Sequence, residues 1–490
     1  MLRRIQPGIR AWLFLILALG VGIAHFAPGA SAEEADQEVL DPQEQEVSFR
    51  WHFQAGLNMA AEWDLFWNLA ETFAPDSGFD TDAQWLEGYV KPGVSFERQL
   101  DSGATFYGKL SAVGSYTLGI DAFDTGDTGD VTLEELHLGL RGGDAEGLSW
   151  DVSLGPRELK LGTGMLISNG ASSGFERGAL KFGPRKAWER AIIARLAGSG
   201  TSGTLFFVDP NERPATDGDN ELAGFDLRHD VSQQQYLGVT YVNVLNSTSA
   251  YPRAAPEGLG APEVIPGARE GLNTLNVYGS AKPFRGSLET VFLAAELAHQ
   301  WNDENGLDLE AWGGRVQAGF TWKDAAWTPT LIYGYQFFSG DDPETATLER
   351  FDPLYYEGSP SAWSTGSKSS MTFINSNVIA HSLTLRLQPT QRDTLTLRYA
   401  HIRADELRSP IQFGQATRLD VVGATGNVVS GVTDAELSDD IFVEYNRIIN
   451  RNTYLTAGAA ISLPGKGIET TVVGDTPDWT GVFINIVVNY

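Results

Sequence analysis

The chain has no cysteine, and that single absence removes thiolate metal sites, thiol nucleophiles and any disulfide framework. Nothing after Ala32 offers a long uncharged apolar run, which excludes a membrane-spanning helix from the rest of the sequence. Bases are scarce, with 35 Lys and Arg against 63 Asp and Glu and a formal charge of −28. A protein that grips nucleic acid needs a basic stripe to neutralise phosphates, so no nucleic-acid partner is expected. The seven histidines lack any H-E-x-x-H or comparable spacing, and no zinc site is expected.

What is present begins with the first 32 residues. Arg3, Arg4 and Arg10 form a positive head, Ala11 to Ala24 is almost wholly apolar, and Ala30-Ser31-Ala32 is the small-x-small pattern a signal peptidase reads. Residues 1–32 are therefore expected to be a secretory signal peptide cleaved after Ala32. Losing its three arginines takes the charge from −28 to −31. The acidic, polar residues 33–46 are expected to be a periplasmic lead-in without fixed structure.

From Val47 a different pattern takes over. Val47, Phe49, Trp51, Phe53, Ala55, Leu57 and Met59 alternate with Ser48, Arg50, His52, Gln54 and Asn58, a period of two that predicts a strand. The run is longer than the ~5–6 residues of an average globular strand. The same alternation recurs in Phe106 to Leu118, Trp312 to Trp322, Leu383 to Leu387, Leu395 to Tyr399 and Leu455 to Leu463, and the chain ends on the face Val482, Ile484, Ile486, Val488 and Tyr490. Turn-rich stretches separate these runs: Asp121 to Asp130, Asp209 to Asn220, Ser247 to Arg269, Ser339 to Phe373 and Asp405 to Asp440. Short connections lie at Pro389 to Asp393 and Ile449 to Asn452. A chain exported without a helical span lives in a membrane only as a closed barrel. The expectation is an all-β, single-domain transmembrane antiparallel barrel of about 18 strands over residues 47–490, in the outer membrane, with an aqueous lumen. The C-terminal aromatic Tyr490 resembles the signal read by the barrel assembly machinery, which with outer-membrane lipid is an expected partner.

Few motifs carry chemistry. Gly170-Ala171-Ser172-Ser173-Gly174 fits G-x-S-x-G, but a nucleophile elbow joins a strand to a helix and no helical period comes after it, so the chain is not expected to be an enzyme. A barrel lipase using Ser172 is the alternative. Asp121, Asp124, Asp127 and Asp130, and Asp217 with Asp219, carry the oxygen ligands calcium takes, yet a three-residue spacing departs from the alternating calcium loop. No cofactor is expected, and structural calcium at Asp124, Asp127 and Asp130 is kept as an alternative. Arg50, Lys109, Arg157, Lys282, Arg315, Arg386 and Arg398 share the parity of the polar faces and are the expected lumen and substrate-binding residues. The acids Glu135, Asp151 and Glu444 share those faces.

One run carries a resemblance. Val152 to Ile167, with Gly155-Pro156-Arg157-Glu158 and Leu161-Gly162, resembles the "G-R-Q, then L-x-x-G" strand pair of the alginate export family of outer-membrane porins. Tyr335 to Asp342, Arg350 to Tyr356 and Asn375 to Leu387 are similar to that family's long loop and the strand after it. Pro156 and the Glu158 that replaces Gln depart from its pattern. The resemblance implies an 18-stranded barrel whose electropositive lumen passes a polyanionic uronate polysaccharide, with Arg157 as the arginine of the motif. The expected function is a channel for anionic solutes or an acidic, alginate-like polysaccharide. A structural or adhesive barrel with a blocked lumen is the rival.

Overall fold

The chain is described by a computed structural model covering residues 47–70, 77–144, 147–259, 262–357, 373–412, 421–422, 425–426, 428–429, 431–470 and 474–490. The signal peptide and lead-in lie outside these described residues. Alternation of apolar and polar side chains gives each long segment one face for lipid and one for the interior, and the chain resolves the remaining edge problem by closing on itself.

Eighteen antiparallel strands form the wall. They are β1 (Ser48–Trp63), β2 (Ala83–Gln99), β3 (Thr105–Ile120), β4 (Gly126–Gly143), β5 (Ser149–Leu154), β6 (Arg190–Gly198), β7 (Thr201–Asp209), β8 (Glu221–Ser232) and β9 (Gln235–Asn246) in the first half. The second half comprises β10 (Asn273–Ala281), β11 (Phe292–Asn302), β12 (Leu309–Thr321), β13 (Thr330–Phe338), β14 (Val378–Thr390), β15 (Asp393–Arg403), β16 (Glu436–Asn450), β17 (Thr453–Pro464) and β18 (Trp479–Asn489). Each pairs with its neighbours in sequence, and β1 pairs with β18 from Gln54↔Asn489 to Trp63↔Thr480. Tyr490 completes the seam: its amide donates to the Phe53 carbonyl at 2.8 Å and its carbonyl accepts from Phe53 N at 3.0 Å.

The parity read from sequence is the parity of the wall. Phe49, Trp51, Leu57 and Met59 are exposed on the outer face, whereas Asn58, Ala60 and Glu62 of the same strand are buried inward. Leu110, Tyr116 and Leu118, then Val482, Ile484 and Ile486, likewise face outward. Strand ends alternate between short turns, such as residues 391–392 and 451–452, and longer loops at the opposite end. Short turns mark the periplasmic side.

Three expectations need correction. The stretch Asp121 to Asp130 is not a loop, since β4 begins at Gly126; only residues 121–125 turn, and Asp127 and Asp130 belong to the strand. Residues 405–440 likewise end in strand, from Glu436. The larger departure is Val152 to Ile167, read as a strand pair. Only the first half is strand; from Gly155 the chain leaves the wall and returns at Arg190. These 35 residues, 155–189, form a loop (loop 3) folded into the barrel, where Leu159, Leu161, Met165, Leu166, Ile167, Leu180 and Trp188 are buried. Their apolar side chains build a second core inside the lumen, shared with Tyr251 and with Leu348, Phe351, Leu354 and Tyr355 of the described loop residues 339–357 and 373–377 (loop 7).

Candidate functional site: the constricted lumen

Loop 3 is held against the wall by carboxylates that face inward. On β2, Glu87 accepts the backbone amides of Phe182 at 2.8 Å and Lys181 at 3.1 Å, together with Trp85 Nε1 at 3.1 Å. On β4, Glu134 Oε1 accepts the amides of Lys186 at 2.9 Å and Ala187 at 3.3 Å. A loop amide that loses water must find an acceptor, and an ionised acceptor makes the stronger bond. Arg185 is fully buried; its guanidinium donates to Thr132 Oγ1, Ser115 Oγ and the Asp130 carbonyl. Burial brings Arg185 down to about 10, so it stays cationic at neutral pH. The wall yields room for the loop at Gly56, where a Cβ would stand 2.8 Å from the Phe182 ring.

The other end of the same loop reaches a distant part of the wall. Thr163 Oγ1 donates to Glu296 on β11 at 2.5 Å and accepts from Arg315 on β12 at 2.6 Å, while Gly162, at φ +53°, rests on the Tyr278 ring of β10. β2 and β11 are nine strands apart in a ring of eighteen, so loop 3 runs from one wall to the one opposite. Loop 7 locks onto it through a parallel bridge, Ile167↔Tyr355, with Tyr355 N donating to the Leu166 carbonyl at 2.9 Å. The Tyr355 hydroxyl bonds Glu212 at 2.9 Å.

Beneath loop 3, along β18, β1, β2 and β3, lies a cavity of about 500 Å³. Lys91, Lys109, Lys186, Glu158, His52 and Phe182 are among its lining residues. A β-bulge shapes its charge. Opposite Ser111 and Ala112 of β3, β4 carries one extra residue, so the consecutive Glu134 and Glu135 are both buried inward. Lys91 pairs with Glu134 at 2.9 Å and Glu158 at 2.8 Å, and Lys109 pairs with Glu135 at 2.5 Å. Burial alone would raise the Glu158 carboxyl, but Lys91 beside it outweighs burial and holds it below the usual glutamate range. Lys186 has no ion pair among the described residues.

The seven expected lumen residues fare unequally. Arg50 faces inward on β1 and is exposed to the lumen, in the cross-strand row that continues through Ser95 to Lys109. Arg157 stands at the start of loop 3, 3.0 Å from Tyr107 Oη, 2.6 Å from Ser153 Oγ and 3.4 Å from Asp151. Arg315 is paired with Glu296 at 2.9 Å. Arg386 and Arg398 are diagonal neighbours on β14 and β15; Arg398 stands 4.0 Å from Glu444, and Arg386 is exposed without an ion pair among the described residues. Lys282 lies beyond the end of β10, in the turn at residues 282–291, and is not part of the strand lining. Of the seven, Lys109 lines the cavity, and Arg50 stands in the same cross-strand row. Sequence parity missed Lys91 and Lys186, and it missed Arg195, which pairs in register with Asp151 on the inner face of β6.

The acidic candidates do not converge. Asp124 sits in the turn, Asp127 accepts from Gly119 N, and Asp130 accepts from Val131 N; no group of three metal-binding side chains exists among the described residues. Ser172 lies inside loop 3, its amide bonded to the Asn211 carbonyl. The next element is a single 3-10 turn, Phe175–Arg177, instead of the helix a nucleophile elbow requires.

Comparison with known proteins agrees with this architecture. Residues 272–471 match the family model described as Alginate export. Among solved structures, Pseudomonas aeruginosa OpdK with vanillate superposes at TM-score 0.51 with 10% identity, covering 90% of this chain and 98% of that one. Pseudomonas aeruginosa OccK2 (OpdF) gives 0.50 and 10%, covering 90% and 97%. At such identity the likeness is one of fold. No curated protein sequence matches the chain. The closed eighteen-stranded wall and inward loops give this chain the fold of an outer-membrane porin-like barrel, and residues 272–471 are similar to the alginate export family.

Proposed function

We propose that the barrel is a passive channel for small anionic solutes. The observation that carries this reading is the unequal exposure of lumen charge. The inward carboxylates Glu87, Glu134, Glu135, Asp226 and Glu296 are buried and hydrogen-bonded, whereas Arg50, Lys186 and Arg386 present their charge to the lumen. A few exposed cations between low-dielectric walls focus a positive field on the path. Neutralising pairs cap the strength of that field: Lys109, Arg157 and Arg315 each have a carboxylate partner.

The path of loop 3 across the lumen favours small solutes over a uronate polymer, because a chain of sugars would have to thread beside a segment bonded at both walls. The same observation is what favours the rival reading, a barrel closed by its loops. Reversal potentials of the purified protein in planar bilayers under a salt gradient separate the two. Anion selectivity is expected; cation selectivity would remove the anion reading, and a folded protein without conductance would establish the closed barrel.

A further inference from the structure

The eight connections at the periplasmic end of the wall are not alike. Those at residues 100–104, 144–148, 199–200 and 233–234 contain no Lys or Arg, and Asp101 and Asp144 give two of them negative charge. All the Lys and Arg fall in the other four, between β10 and β17: Lys282 and Arg285 in 282–291, Lys323 in 322–329, Arg392 in 391–392 and Arg451 in 451–452. With Arg447 near the end of β16, six cations meet three carboxylates, Glu289, Asp324 and Asp393. Lys323 pairs with Glu289 at 2.7 Å and Arg447 with Asp393 at 3.1 Å. Lys282, Arg285, Arg392 and Arg451 have no ion pair among the described residues, and all but the half-buried Lys282 are exposed.

These four connections join into one arc. The Lys323–Glu289 pair links the first two, Gln388 N on β14 donates to the Trp327 carbonyl at 2.7 Å, and Ile448 N on β16 donates to the Arg392 carbonyl at 2.8 Å. Periplasmic turns of such barrels are short, yet 282–291 and 322–329 are ten and eight residues long. Their extra length exposes Phe284, Leu288, Trp322 and Trp327. Trp322 packs edge to face at 4.8 Å on Phe320, which shares the outward parity of the exposed Trp312 and Val316. Indole rings settle where lipid headgroups meet water, because one end of the ring is apolar and the other polar. The cations of the arc therefore stand at the depth of lipid phosphates, a placement that an acidic protein in solution would not require.

We propose that the arc from β10 to β17 is a docking surface for the headgroups of anionic phospholipids in the periplasmic leaflet. The exposed guanidinium groups of Arg285, Arg392 and Arg451 present the planar fork that a phosphate accepts. Basic residues near an anionic lipid surface each add to the attraction. The connections from β2 to β9, without a cation, offer no such preference, so anionic lipid collects on one side of the barrel.

The test uses the full-length protein in phosphatidylcholine vesicles that contain either brominated phosphatidylglycerol or brominated phosphatidylcholine, each of which quenches tryptophan fluorescence on contact. At equal mole fraction the phosphatidylglycerol probe is expected to bind about fivefold more tightly, and the excess should shrink at about 1 M salt. K282Q/R285Q/R392Q/R451Q should abolish the excess, and W322F/W327F should remove it from the fluorescence, which locates it at the arc. Folding of each variant is read from heat-modifiable gel mobility; among the four substituted side chains only Arg451 holds a hydrogen bond, Nε to Asn452 Oδ1 at 3.1 Å. Equal quenching of the wild type by the two probes overturns the proposal, and so does an excess that survives the fourfold substitution. Salt-sensitive binding of soluble poly-glutamate, with no phosphatidylglycerol excess, would assign the arc to an acidic protein and overturn the lipid assignment.

Discussion

At the residue scale, the carboxylates that anchor loop 3 also set the charge of the lumen, and the two roles can be separated. Glu134 accepts two loop amides and pairs with Lys91; Glu158 pairs with Lys91 and accepts no loop amide. E134Q and E158Q should each raise anion permeability by removing one of the two carboxylates that Lys91 faces. Only E134Q should lower the unfolding midpoint in detergent, since weakening charged bonds to a buried loop costs about 2 kcal/mol. Equal midpoints would dissociate Glu134 from the anchoring. Acid has a related effect with a definite sign. Because Lys91 holds Glu158 below the usual glutamate range, the gain in anion preference from protonating Glu158, which leaves Lys91 with Glu134 alone, should appear only at a pH below that range. An E158Q variant with the same acid response as the wild type would contradict that pairing. Trp188, buried against the Tyr355 ring at 5.1 Å and donating to the Leu159 carbonyl at 3.1 Å, is the apolar anchor of the same loop. W188A should cost about 3–5 kcal/mol of local packing and make single-channel currents noisier.

At the scale of elements, the strands were legible and the loop was not. Alternation along Val47 to Met59 or Phe106 to Leu118 has one physical cause, lipid on one side and lumen on the other, and it fixes strand, face and membrane together. The bulge at Glu134-Glu135 breaks that period, so no parity argument could place two consecutive acids inside. Loop 3 has no period at all: Leu159, Leu161, Leu166 and Ile167 are buried by contacts with the opposite wall and with loop 7, which are distant in sequence. The lumen lysines became visible only with the pairing of β2, β3 and loop 3, and the resemblance around Arg157 marked the point where the chain leaves the wall while reading it as a strand pair. Removing residues 170–183 should raise conductance several-fold while leaving the wall intact. Unchanged conductance with native heat-modifiable mobility would mean that loop 3 is not the constriction.

At the scale of the whole molecule, closure depends on the seam between the first and last strands. Tyr490 exchanges two backbone hydrogen bonds with Phe53, and Gln54 bonds Asn489. Deleting Tyr490 should therefore reduce outer-membrane yield and heat-modifiable mobility far more than D341A, a change at a loop carboxylate. Equal insertion of the two would count against the seam as the determinant of assembly. The expected signal peptide, assembly machinery and lipid partners are proposals of the same kind, tested by that fractionation. The central claim is that the exposed lumen cations Arg50, Lys186 and Arg386, with the wall carboxylates Glu87, Glu134, Glu135, Asp226 and Glu296 buried, make this barrel an anion channel. Its most direct test is the reversal potential of the full-length wild-type protein across a KCl gradient: the account predicts a value displaced towards the chloride equilibrium potential, and a displacement towards that of potassium would contradict it.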